Sequence, residues 1–210
     1  PAHVGMYKAQ ILAGIFNRAL GLDITWAADA FDREKHITQH GPYRKPLLIG
    51  CVDSHTGRKE MFEANTYWID CGNDFDHGQV IFGNRMNTWY VMERTHRAIE
   101  SGKTELRDLP TAPCYFPDLL EPEPPRPEPE MSCAELMVRG DQHLLINEAV
   151  AVAAAQYVYR ILYRLPIRTF ATFVDVESIS TNSIPITINK LEYFLGMTMG
   201  EELGILSYDR

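Results

Sequence analysis

The stretch "LLIGCVD", residues 47–53, ends an apolar run on a carboxylate. In an open parallel sheet, ligands gather beyond the carboxyl ends of the strands. Asp53 at such an end would face the crevice and offer an oxygen ligand to a hard cation such as Mg²⁺. Asp is also a good helix N-cap and "SHTGR" follows at once, so a capping role stands open beside the metal role. Lys8 falls in the first turns of a helical stretch, from which an ammonium can reach a phosphate, although simple solvation suits a helix lysine equally well. Arg58, a turn beyond Asp53, has the same two readings. His36 and His40 stand four apart, a spacing that brings two imidazoles together on a helix, but Gly41-Pro42 follows and no third ligand is at hand, which favours a surface pair over a metal site. Cys114 and Cys133 flank a proline-rich stretch where an exposed thiol can act as a nucleophile if something activates it, and is inert otherwise. Cys114 is the candidate nucleophile, because it borders that stretch.

Two absences limit the chemistry. Neither GxGxxG nor GxxxxGKS/T occurs in the 210 residues, so the chain has no glycine-rich phosphate loop. The four cysteines, Cys51, Cys71, Cys114 and Cys133, form no CxxC pair, which argues against structural zinc. Wide spacing in a chain of this length reads as reduced cytosolic thiols.

The elements that position these residues follow from periodicity. A chain of 210 residues with 45% hydrophobic and 23% charged side chains buries one full core, and one domain spanning 1–210 is expected. A net charge of -8 argues against general nucleic-acid binding, which needs a dense basic surface. The longest apolar run, around residues 149–156, is far short of the ~20 residues of a membrane span, and the first ten residues lack the plan of a signal peptide. A cytoplasmic location is expected. The chain opens on Pro rather than Met, and a processed or truncated piece of a longer protein is the expectation.

Residues 4–20 place Met6, Ile11, Leu12, Ile15, Phe16 and Leu20 on a helical stripe closed by Gly21. Residues 23–29 read as a short strand, 47–53 as a strand covered on both faces, 56–64 as a helix, and 66–72 and 78–83 as strands joined by a turn at "GNDFDH". Alternating strands and helices predict an α/β layer with a mainly parallel sheet ending in an antiparallel pair. Residues 104–131 carry so many prolines that an extended loop or tether is expected. A long helix over 141–165 follows, capped by Asp141, stopped by Pro166, and apolar nearly all round, so it should be buried against a sheet or a partner subunit. Strands over 169–178 and 183–188 close the pattern.

Taken in order, these segments resemble one family. "VGMYKA" at 4–9, "CVD" at 51–53 with Arg58, and "YWIDCGNDFDHGQVIFG" at 67–83 are similar to the part of ThiF/MoeB-like enzymes that follows their nucleotide-binding half. "APCYF", the prolines, "SCAELM" and "GDQHLLINEAVAVAAAQ" resemble most the ThiF-related branch of the PRTRC cassette, a bacterial and often plasmid-borne gene cluster. The resemblance covers nearly the whole chain. It implies a Rossmann-like domain without its first βαβ portion, residues 104–131 as the family's crossover loop, and ATP-dependent adenylylation of the C-terminus of a ubiquitin-like or cassette-encoded protein by a homodimer. It makes Lys8 the lysine on the ATP phosphates, Asp53 the acidic residue associated with Mg²⁺ and adenylylation, and Arg58 a support of the same pocket. The chain departs from the pattern at Ser54, where Asn is common, in lacking the zinc-binding CxxC pairs, and in lacking the glycine-rich loop, the ribose-binding acid and the arginine that would precede residue 1. Without that loop the chain as it stands is expected to be incomplete for catalysis. Two rivals remain: a non-catalytic scaffold of the same fold, and a different doubly wound enzyme such as an oxidoreductase, for which nothing marks a hydride-transfer site.

Overall fold

The computed structural model describes residues 5–37, 46–101, 108–122 and 145–197. Five strands form one open sheet in sequence order: β1 (Leu47–Gly50), β2 (Tyr67–Asn73), β3 (His77–Gly83), β4 (Thr169–Asp175) and β5 (Ser180–Pro185). The chain is therefore α/β. The expected mainly parallel sheet is corrected, since only β1 and β2 run parallel and the other three pairings are antiparallel. The connections give the reason. A parallel neighbour needs a crossover, and helix α3 (His55–Glu63) supplies one between β1 and β2. Turns of a few residues join β2 to β3 and β4 to β5, and turns that short can only reverse the chain.

Seven α-helices surround the sheet among the described residues. α1 (Lys8–Leu20) ends on Gly21 in the left-handed region, φ 64°, whose N–H bonds to the Asn17 carbonyl. The strand expected over 23–29 does not form. Its alternating pattern finds no neighbouring strand; instead the Asn17 amide donates to the Ile24 carbonyl at 3.0 Å and accepts from the Ile24 N–H at 2.7 Å, doing locally what a ladder partner would do. A short α2 (Arg33–His36) follows, capped by Asp32. Beyond β3, α4 (Thr88–Glu100) turns Val91, Met92 and Thr95 inward.

The described part of the proline-rich stretch is packed rather than a tether. α5 (Ala112–Tyr115) and a 3₁₀ turn (Pro117–Leu120) bury Leu109, Ala112 and Tyr115, and Tyr115 stacks on Phe170 at 4.7 Å. Asn84 fixes the entry by accepting from the Leu109 N–H at 2.9 Å. Residues 104–107 and 123–131 lie outside the described residues.

α6 (Ile146–Leu162) lies across β2, β3 and β4. Its inner stripe is Ile146, Val150, Ala154 and Tyr157, spaced four, four and three as one helix face requires. Gly78 lets it approach: a methyl group there would collide with Val150 Cγ2 and crowd Ile146 Cδ1. The opposite face is exposed at Val152, Tyr159 and Leu162, so the helix covers the sheet on one side only. The expected cap, Asp141, lies outside the described residues. α7 (Ile188–Leu195), capped by the Thr187 side chain, packs Phe194 against Phe170 and Phe173.

Candidate functional site

Where the parallel pair β1/β2 ends, the chain leaves the sheet at Cys51 and passes Asp53 to enter α3. This edge, α1 and the outer side of α6 enclose a groove of about 890 Å³ lined by Lys8, Ile49, Cys51, Asp53, Arg58, Cys71 and, on the far wall, Ala151, Ala155, Tyr159 and Leu162. Lys8 and Asp53 thus share one groove although 45 residues separate them in sequence, as their numbers show.

The capping question at Asp53 is resolved by its neighbour. Ser54 is the N-cap of α3, its Oγ accepting from the Gly57 N–H at 3.3 Å. Asp53 supplies only its backbone carbonyl, which accepts from Arg58 Nη1 at 3.2 Å. Its carboxylate is exposed and forms no hydrogen bond or ion pair among the described residues.

Arg58 is placed otherwise than a ligand-binding arginine would be. It is 9% exposed, and its Nε lies 3.5 Å from Asp70 Oδ1, too loosely aligned for a hydrogen bond. Asp70 is fully buried in β2, on the face of the sheet that carries Trp68. Burial pushes its pKa up to about 6, against the attraction of Arg58. Arg58 therefore lines the groove while its charge is committed to Asp70 and its fork to the Asp53 turn. The sequence flags this pair only as a carboxylate inside an otherwise apolar strand, "YWIDC".

The thiols sort oppositely to expectation. Cys114 is half-buried, with its Sγ 3.6 Å from the Met86 carbonyl oxygen and 3.7 Å from that of Arg85, and burial raises its pKa. Cys114, the expected nucleophile, is not among the residues of the groove, and its side chain meets Thr111 and the 85–86 backbone. Cys51 is exposed in the groove, and a hydrogen bond from the Cys71 thiol lowers its pKa to about 7, against burial and the charge of Asp70.

The histidine pair is not seen as a metal site. The His36 ring packs on Phe31 and its Nδ1 meets the Asp32 backbone, while His40 lies outside the described residues. Among the described residues no group of three or more His, Cys, Asp and Glu could hold a metal ion.

A scan against protein-family models finds no match to this chain, and a search of curated proteins finds none either. Among the described residues no helix is long and apolar enough to cross a membrane.

Mg²⁺ usually needs only one or two protein carboxylates when phosphates and water complete its shell. A single exposed carboxylate at the mouth of a groove that also holds Lys8 fits that requirement.

Proposed function

We propose that the groove is the phosphate and acceptor side of an adenylylation site of the ThiF/MoeB type. The observation that carries this reading is the convergence of Lys8 and Asp53 on one groove, with Asp53 released from capping by Ser54. In this reading a carboxylate at the C-terminus of a ubiquitin-like or cassette-encoded protein attacks the α-phosphorus of ATP, and pyrophosphate leaves. Lys8 neutralises charge on the phosphates, Asp53 holds Mg²⁺, and Arg58 fixes the backbone turn that aims Asp53. The apolar far wall lowers the local dielectric, which strengthens each of these charge interactions.

Phosphates also need backbone donors, usually from a glycine-rich loop, and no such loop occurs among these residues. The test is calorimetric titration with ATP·Mg²⁺ of this chain alone and of the chain supplied with a glycine-rich nucleotide-binding half, followed by pyrophosphate exchange with the acceptor. Binding and exchange by the supplemented form, weakened by Lys8→Ala and by Asp53→Asn with circular dichroism unchanged, support the reading. A supplemented form that binds no nucleotide refutes it.

A scaffold reading has its own observation: Leu12, Ile15, Phe16 and Leu20 on α1 and Val152, Tyr159 and Leu162 on α6 are all exposed. Exposed apolar helix faces of this kind suit protein contact. Partner binding that is indifferent to nucleotide and to Lys8→Ala distinguishes it.

A further inference from the structure

Cys51 and Cys71 play no part in the chemistry proposed above, yet the sheet brings them together. The β1/β2 register runs from Leu47 opposite Tyr67 to Gly50 opposite Asp70, where the ladder ends, and Cys51 and Cys71 are the residues that directly follow that last pair. Parallel neighbours stand roughly 4.8 Å apart, inside the Cα window of about 4.4–6.8 Å that a disulfide accepts. Both side chains line the groove, on the face shared with Ile49, and their sulfurs are in hydrogen-bond contact.

The two thiols are unequal in the way a reactive pair requires. Cys51 is exposed and Cys71 is buried, at 8%. We infer that they form a reversible dithiol–disulfide pair in the groove, Cys51 reacting first with a hydroperoxide and Cys71 resolving the product. The inference does not rest on nucleotide chemistry. The Cys51 thiolate attacks one peroxide oxygen, the O–O bond breaks, and Cys51 becomes a sulfenic acid while hydroxide takes up a proton and leaves as water. The Cys71 sulfur then attacks the Cys51 sulfur, and the displaced hydroxyl leaves as water with the Cys71 proton. Two thiols and one hydrogen peroxide give one disulfide and two waters, and two electrons pass from sulfur to peroxide oxygen.

The surroundings favour Cys51 as the attacking thiol. Cys51 is the exposed member and Cys71 the buried one, so a peroxide entering the groove meets Cys51 first. Lys8 from α1, Arg58 from α3, Asp53 beyond β1, Tyr159 from α6 and Tyr163 just past its end line the same groove. Cys114 sits elsewhere, bonded to the 85–86 backbone. Oxidation would tie the end of β1 to β2 two residues before Asp53, coupling the redox state of the groove to its carboxylate.

The test is equimolar hydrogen peroxide added to the reduced, folded chain near neutral pH, with intact mass and peptide mapping. The expected result is loss of two hydrogens and one linked peptide joining Cys51 to Cys71, both reversed by dithiothreitol. In Cys71→Ser, dimedone should trap a sulfenic acid on Cys51. A peptide linking Cys51 to Cys114, to Cys133 or to a second chain overturns the inference. So does Cys51 passing to sulfinic acid with no linked peptide. The wild-type map decides the matter even if that variant does not fold.

Discussion

Asp70 has no exposed surface and neither carboxylate oxygen meets a hydrogen-bond donor in good geometry; its counter-charge is Arg58, 3.5 Å away. Its pKa of about 6 stands above the ordinary 3.8, so the folded protein holds this proton more tightly than the unfolded chain does. The contribution to stability is therefore fully present below about pH 4 and is lost as pH rises through about 6. Roughly two pH units at about 1.4 kcal/mol each make the loss about 3 kcal/mol. Asp70→Asn has no proton to lose. Urea unfolding of both proteins under reducing conditions, from about pH 4 to pH 8, isolates the effect in the difference, because the other titrating groups cancel. The stability of Asp70→Asn relative to wild type should climb by about 3 kcal/mol across that range. Arg58→Met should destabilise more at pH 8 than at pH 5, by about 3–5 kcal/mol at the upper end, because it leaves a buried carboxylate without its counter-charge. In the double variant that pH dependence should disappear. A flat difference between wild type and Asp70→Asn would refute the assignment of a raised pKa to Asp70.

Other consequences are independent of this pair. In the supplemented protein, Lys8→Ala should weaken ATP·Mg²⁺ binding about 10- to 100-fold by calorimetry, the range for one charge-assisted contact; unchanged affinity would remove Lys8 from the site. Gly78→Ala should cost about 1–3 kcal/mol in urea unfolding, since its methyl group meets Val150 where α6 crosses β3. Tyr157→Phe should cost about 0.5–1.5 kcal/mol, because the hydroxyl contacts Thr169 Oγ1 at 3.2 Å and Thr172 Oγ1 at 3.1 Å. In native protein, iodoacetamide should modify Cys51 well before Cys114, a preference that unfolding in urea should erase.

Periodicity alone located α1, α3, the first four strands and α6, because each buries a stripe or an alternating face, and it set the last strand three residues late, at 183–188 against the observed Ser180–Pro185. It placed a strand at 23–29, where alternation was present but no partner strand was, and Asn17 satisfied Ile24 instead. It left the α4 segment unassigned, although its inward positions Val91, Met92 and Thr95 follow helical spacing. Parallel or antiparallel pairing is not written in a strand's own residues; it depends on what connects the strands, and short turns reversed two of the four pairings while the long passage from β3 to β4 made the third antiparallel.

The site divides the same way. Residue type marked Asp53 and Lys8 as groups able to meet a metal and a phosphate. Whether Asp53 was already used as a cap depended on a one-residue difference in where α3 begins, which the fold decided through Ser54. The commitment of Arg58 to Asp70 and the contact of Cys51 with Cys71 are legible only once β1 and β2 are in register, because each joins residues 12 to 20 apart in sequence, as their numbers show. Local sequence sets which groups are present and which face they take. Charge, proton affinity and thiol reactivity depend on burial and on the nearest neighbours, and those neighbours are chosen by tertiary packing.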